Sequence, residues 1–170
     1  MEFLNPEKII EQMNLKPDMF VADLGSGSGK FSIPLAKKIK DGLVWALDIQ
    51  KEPLAFLKSR TIKEKIHNIN IVRCDLEQPK GSKLSDSFFD LVLAVDILFQ
   101  VNNIDAIISE AKRILKKKGT FFVSERFPEE SSSIGVTPFK IIKALKDSGF
   151  IIKKEINLGE SRYGLIFEKN

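Results

Sequence analysis

The sequence predicts an α/β fold built on a doubly wound, mostly parallel sheet, and three observations carry that expectation. Short apolar runs of strand length alternate with helical periodicity along almost the whole chain. The runs are nearly continuous in apolar residues rather than strictly alternating, as strands covered on both faces are. A glycine-rich stretch, "ADLGSGSGK" (22–30), joins the first such run to the first long helical pattern.

Each element has its own local reason. "NPEKIIEQMNL" opens with Asn5 as N-cap and Pro6 at the first helical position, so a short helix starts there. "MFVAD" (19–23) is a compact strand that ends at the glycine loop. Phe31, Leu35 and Ile39 recur every four residues and mark a helix whose N-terminus faces that loop. "GLVWALD" (42–48) is the second strand, and Pro53 to Ile66 is a helix with Leu54, Leu57, Ile62 and Ile66 inward. "INIVRCD" (69–75) is the third strand and "FFDLVLAVD" (88–96) the fourth. After Asn103 as N-cap, Ile104, Ile107, Ile108, Ala111 and Leu115 form a helical stripe. "GTFFVSE" (119–125) is the fifth strand, and Thr137 to Ser148 is a helix with cap, Pro and terminal Gly in order. "FIIKKEI" and "YGLIFEK", joined by "NLGESR", close the chain as an antiparallel strand pair. No repeat, low-complexity tract or interdomain linker interrupts the pattern, so residues 1–170 are expected to form a single domain with helices on both faces of the sheet.

Bulk properties narrow the function classes. The chain has 170 residues, 43% hydrophobic and 29% charged, the composition of a globular protein. No apolar run approaches the roughly 20 residues that cross a bilayer, so membrane insertion is not expected. The start "MEFLNPEKII" lacks a basic segment followed by an apolar stretch, and Cys74 is the only cysteine, which excludes an internal disulfide and a thiolate cluster. A cytoplasmic location and no metal site are the expectations. The net charge is +4, with lysines spread over helix faces and helix ends, where cations suit the dipole. A nucleic-acid patch gathered from them by folding stays open.

The glycine loop fails both common phosphate fingerprints. A P-loop would need glycine where Leu24 stands and a hydroxyl where Phe31 stands, and the third glycine of G-x-G-x-x-G would fall on Lys30. What remains is Asp23 followed by Gly25, Gly27 and Gly29, with Ser26 and Ser28 between them. Glycines admit a close backbone approach by a ligand, while Asp23 repels a diphosphate and attracts a cation. An ordinary tight βα turn is the alternative. Ligands of such sheets lie beyond the carboxyl ends of the strands, and Asp23, Asp48 and Asp75 end three successive strands, with Asp96 closing a fourth. Asp48 lies 19 residues after Gly29, where a carboxylate can accept both ribose hydroxyls. A strand-end Asp taken singly also serves as a turn former or cap.

With these residues in place, the chain resembles the class I S-adenosylmethionine-dependent methyltransferases over nearly its whole length. "VADLGSGSG" is similar to their first motif, "ALDIQ" to the second, "RCDLE" to the third and "FFDLVLAVDILFQV" to the fourth. "EAKRILKKKGTFFVSE" and "TPFKIIKALKDSGFIIKKE" resemble their later helices and strands. The resemblance is nearest to the small-molecule type that includes ubiquinone/menaquinone-biosynthesis C-methyltransferases and arsenite methyltransferases. It implies a Rossmann-like, seven-stranded sheet with an antiparallel last strand, and S-adenosyl-L-methionine as cofactor. Gly25, Ser26, Gly27 and Ser28 would pass beside the methionine part, with Asp23 near its amino group. Asp48 would hold the ribose and Ile49 would lie against the adenine. Asp75 would receive the adenine amino group with Leu76 beside it, and Ala94 and Val95 would line the floor. An acidic rim suits a ligand with a sulfonium and an ammonium but no phosphate.

Several positions depart from the resemblance. Gln100 stands where many relatives place His, Cys74 alone argues against arsenite methylation, and "VDIL" replaces the N-P-P-[YF] that adenine amino-group methylation uses. His67 is expected in an exposed loop, and Trp45 in the core rather than under a substrate. Asp96, Gln100, Asn102, Glu125 and Arg126 fall at the expected mouth, with Asp96 and Gln100 as the candidate catalytic residues and a capping role for Asp96 as the alternative. The short linker 127–136 and the absence of an added domain predict an open substrate face. Three functions stay open at this level: methyl transfer to a small molecule, methyl transfer to RNA or protein, and cofactor binding by a non-catalytic partner subunit.

Overall fold

Strands β1 (Phe20–Leu24), β2 (Leu43–Asp48), β3 (Ile69–Arg73), β4 (Phe89–Val95), β5 (Leu115–Arg126), β6 (Phe150–Asn157) and β7 (Arg162–Lys169) form one sheet in the order β3-β2-β1-β4-β5-β7-β6. The computed structural model describes residues 4–128 and 135–170, so the first three residues and most of the 127–136 linker lie outside it. β1 to β5 run parallel, and β7 lies antiparallel to both β5 and β6. The chain winds from β1 outward through β2 to β3, then crosses to β4 on the other side of β1. That reversal leaves a crevice beyond the carboxyl ends of β1 and β4.

Helices α1 (Pro6–Ile10), α2 (Ser32–Lys38), α3 (Lys51–Lys63), α4 (Ile104–Ile114) and α5 (Pro138–Asp147) cover both faces. The expected caps form: Asn5 accepts the Lys8 N–H at 3.1 Å, Asn103 the Ala106 N–H at 3.1 Å and Thr137 the Lys140 N–H at 3.3 Å. Alternation within the strands separates two cores. Ala22, Leu24, Val92, Ala94, Phe121 and Val123 pack against α4 and α5. Val21, Leu91, Leu93 and Phe122 pack on the opposite side against Ile9, Ile10, Leu35 and Ala36 of α1 and α2. Ile33, Ala46 and Leu57 add α3 to that second side.

The structure corrects several boundaries. α3 begins at Lys51 rather than Pro53 and ends at Lys63, and Ile62, expected inward, is 71% exposed. Leu115, expected in the stripe of α4, is instead the first residue of β5, so helix and strand share one buried leucine. β3 stops at Arg73, which leaves Asp75 in the connection that follows rather than at the strand end. Trp45 stacks edge-on with Phe20, Phe88 and Phe89, at the ends of the strands remote from the glycine loop, and His67 is exposed.

The connection between β3 and β4 is pinned by a buried ion pair. Glu110 accepts the Ser82 N–H at 3.2 Å and the Arg113 Nη2 at 2.7 Å, and Arg113 Nη1 donates to the Leu84 carbonyl at 2.7 Å. Removing the Glu110 carboxylate leaves the buried Ser82 N–H and hydroxyl without their acceptor, while Arg113 keeps Asp86 as a partner. Glu110→Ala is therefore expected to lower stability by about 1–3 kcal/mol. A fall in the urea midpoint at unchanged slope checks this, and an unchanged midpoint would show the network to be incidental.

Candidate functional site

The loop after β1 is shaped by positive φ angles that glycine tolerates best. Gly25, Gly27 and Gly29 have φ of 73°, 53° and 82°. The N–H groups of Gly25 and Ser26 both donate to the Leu47 carbonyl, at 2.8 and 2.9 Å, which fastens the loop to β2. A Cβ on Gly25 would come within 2.7 Å of Ile97 Cδ1, and one on Gly29 would meet the tip of the Leu57 side chain. A Cβ on Gly27 would meet nothing within 4 Å and would project into open space. Gly25 and Gly29 are thus held to glycine by their positive φ, with side chains close by, and Gly27 keeps the groove itself clear.

Asp48 organises the loop from the neighbouring strand. Its Oδ2 accepts the Gly27 N–H at 2.8 Å and its Oδ1 accepts the Gln50 N–H at 2.8 Å. Asp23 is 2% exposed and accepts the Ser32 hydroxyl at 2.6 Å. Burial pushes its carboxyl up to about 6, the Ser32 hydrogen bond opposes this, and the Asp48 charge adds to it. Asp75 accepts the Glu77 N–H at 3.0 Å and the Gln78 side-chain amide at 3.1 Å. Ser26 Oγ is buried and has no hydrogen-bond partner among the described residues.

Two adjoining lobes, of about 170 and 250 Å³, form the groove. Asp48, Ile49, Asp75, Leu76 and Ile97 line the first, and Asp23, Ser26, Gly27, Ser28, Lys30 and Val95 the second. Gly25, Asp48, Gln50, Asp96 and Gln100 border both. The expected binding residues therefore converge, with one exception. Ala94 has no exposed surface and packs in the core on the α4 side, because its neighbour Val95 takes the face turned to the groove.

At the mouth, Asp96 has a φ of 54°, uncommon outside glycine, and its carboxylate pairs with the Arg162 guanidinium. Gln100 donates from its side chain to the Asp96 carbonyl. Asn102 and Arg126 are exposed, but Glu125, expected at the mouth, is 0% exposed and is corrected to an interior position. It points to the α4 side of β5, accepts the Leu98 N–H at 2.6 Å, and its other oxygen has no described partner. Burial raises its carboxyl to about 7, against the Leu98 hydrogen bond and with a further push from Asp96. Sequence reasoning missed Arg162, Lys30 and Ile97 as site residues. Arg162 lies at the start of β7, where only strand pairing reveals that it reaches Asp96. Lys30 was visible only as the end of a failed fingerprint.

The chain is similar to known proteins in sequence and in fold. Residues 15–158 match the family described as "Methyltransferase domain". The chain is 29% identical over 142 residues to a ubiquinone/menaquinone biosynthesis C-methyltransferase UbiE of Paraburkholderia phymatum, covering 81% of this chain and 57% of that protein. It thus spans somewhat over half the length of the curated relatives it matches. Among solved structures, a SAM-dependent methyltransferase from Aquifex aeolicus superposes with a TM-score of 0.86 at 20% identity, covering 98% of this chain and 90% of the other. Magnesium protoporphyrin IX methyltransferase from Synechocystis, with bound SAM, superposes with a TM-score of 0.77 at 22% identity, over 97% and 76%. At these identities the structural likeness shows the fold.

Glu125 yields a test of the mouth's interior. Its folded pKa lies above the usual 4.5, so the folded state binds more protons than the unfolded one between about pH 4.5 and 7. Its contribution to stability is full below that window and is lost as pH rises through it. Glu125→Gln should therefore flatten the fall in stability between those limits, read by urea denaturation at a series of pH values. An unchanged pH dependence would show that Glu125 titrates normally.

Proposed function

The chain belongs to the methyltransferase-domain family, and from that premise we propose that it transfers the methyl group of S-adenosylmethionine to a small-molecule acceptor at the Asp96 end of the groove. One observation carries the cofactor assignment: a glycine loop without a phosphate fingerprint, backed by Asp23, Asp48 and Asp75. Those carboxylates suit a ligand that carries an ammonium and a sulfonium. The residues present also fit its size and polarity. Gly27 leaves clear space where a side chain would block the groove, and Ser26 Oγ waits unpartnered at its wall. The names of the curated relatives, which refer to ubiquinone and menaquinone biosynthesis, support a small-molecule acceptor.

In this reading Gly25, Ser26, Gly27 and Ser28 lie beside the amino-acid part of the cofactor, with Asp23 behind them. Asp48 takes the ribose, Ile49 and Leu76 flank the adenine and Asp75 receives its amino group. Val95 forms the floor. When bound, the cofactor supplies a methyl carbon already activated by the positive sulfur. The protein's task is then alignment of the acceptor atom at about 3–3.5 Å and exclusion of water. Asp96, with one oxygen held by Arg162, keeps its remaining lone pairs for a polar hydrogen of the acceptor, and Gln100 braces the Asp96 backbone. The 170 residues act as one methyltransferase domain. A cytoplasmic location is part of this reading, and no helix among the described residues is long and apolar enough to cross a membrane.

Calorimetric titration with S-adenosylhomocysteine, NAD and ATP tests the cofactor assignment. S-adenosylhomocysteine should bind at least about tenfold more tightly than the other two, and tighter binding of NAD would overturn the reading. Asp48→Ala should weaken S-adenosylhomocysteine binding by about tenfold or more, since a charge-assisted hydrogen bond is worth about 1.5–3 kcal/mol. Gly27→Ala should do the same while leaving Asp48 in place. Affinity retained in both variants would put the ligand elsewhere.

A further inference from the structure

We infer that the acceptor is an anionic small molecule, bound by the cluster of Lys30, Arg126 and Arg162 on the α2 side of the mouth. The inference rests on the methyl-transfer reading above and names a substrate class for it. Strand register brings the cluster together. Arg126 of β5 and Arg162 of β7 are paired directly opposite one another, an arrangement that is destabilising between like charges. Alternation along β5 puts Arg126 on the same face as Phe122 and Ser124, the face covered by α1 and α2. Lys30, just before α2, borders the same lobe as Asp96 and Gln100.

Asp96 pairs with Arg162, and Glu125 lies on the opposite face of β5. Among the described residues Asp96 is the one carboxylate that pairs with any of the three cations. Lys30 feels the other two: its pKa is lowered first by burial and then by Arg162 and Arg126, with Asp96 opposing them. Two donors beside the cluster also lack partners: Arg162, 6% exposed, has an unpaired Nε, and the buried Ser124 hydroxyl is unpaired. A buried guanidinium with an idle N–H is costly unless a ligand or partner completes it.

Both lobes of the groove carry carboxylates, Asp48 and Asp75 in one and Asp23, Asp48 and Asp96 in the other, and the cations lie at the rim. Lys30 borders the second lobe, and Arg126 and Arg162 lie beyond it where β5 and β7 pair. A cofactor held by the carboxylates would leave the cations at the rim to an anionic acceptor. Arg126 and Arg162 sit at facing strand ends and Lys30 just before α2, a compact group and not an extended track of the kind a nucleic-acid backbone follows. A carboxylate, phenolate or phosphate ester of metabolite size matches that footprint.

The test uses the full chain, cofactor labelled in the transferred methyl group, and cell-extract metabolites split by ion exchange into anionic, neutral and cationic pools, with RNA and protein fractions alongside. Label should enter a compound of the anionic pool. Label in a neutral or cationic metabolite would overturn the inference while the methyl-transfer reading stood. Label only in RNA or protein, or in nothing, would overturn both, and S-adenosylhomocysteine calorimetry would then show whether the cofactor site survives. With the labelled acceptor in hand, Lys30→Gln and Arg126→Gln should each raise its KM by roughly three- to tenfold with a smaller change in kcat. Arg126→Lys should restore most of the loss. Unchanged KM in both glutamine variants would remove the cluster from acceptor binding.

Discussion

Asp48 accepts the Gly27 N–H with one oxygen and the Gln50 N–H with the other, so a single carboxylate ties the loop after β1 to the start of α3. The rest of the groove follows from that bridge. With the Gly25 and Ser26 N–H groups held by the Leu47 carbonyl, the loop can only turn back over the end of β2. Its glycines then take the left-handed angles that side chains resist, and Gly27 faces open space. The same carboxylate is the best-placed acceptor for a ligand's hydroxyl groups. One residue thus shapes the apo loop and offers the polar contact that a ligand needs, so its removal acts on both.

Sheet order converts this local arrangement into a site. Placing β4 beside β1 sets the loop against Asp96, and placing β7 beside β5 sets Arg162 against the same carboxylate. Asp23 and Asp48 lie at the ends of β1 and β2 and Asp75 just beyond β3, whereas Arg126 ends β5 and Arg162 begins β7. No single element carries that division of charge. It exists only because the chain reverses direction of winding at β1 and then returns a final antiparallel strand between β5 and β6.

Much of this was legible in the sequence, for physical reasons. Strands buried on both faces read as continuous apolar runs, and the caps Asn5, Asn103 and Thr137 mark their helices by hydrogen-bonding chemistry alone. Spacing located Asp23, Asp48 and the glycines, because a βα turn is a local structure. Leu115 misled because an apolar residue continues a helical stripe and begins a buried strand equally well. Ile62 has the right period but faces outward, since α3 lies over the sheet's edge and buries only a narrow stripe, Leu54 and Leu57. Glu125 and Arg162 were not legible at all. A charged residue at a strand end looks solvent-facing until pairing across β4, β5 and β7 shows what encloses it.

The central claim is that the groove beyond β1, β2 and β4 is where the cofactor binds. Titration of the 15N-labelled protein with S-adenosylhomocysteine, followed through backbone amide shifts, tests it most directly. The largest shifts should fall on Gly25 to Gly29, Ile49 to Gln50 and Leu76 to Glu77, with the Gly27 amide foremost because its hydrogen-bond acceptor is the ligand's own partner. Shifts concentrated elsewhere, with the Gly27 and Gln50 amides unmoved at saturation, would contradict the account.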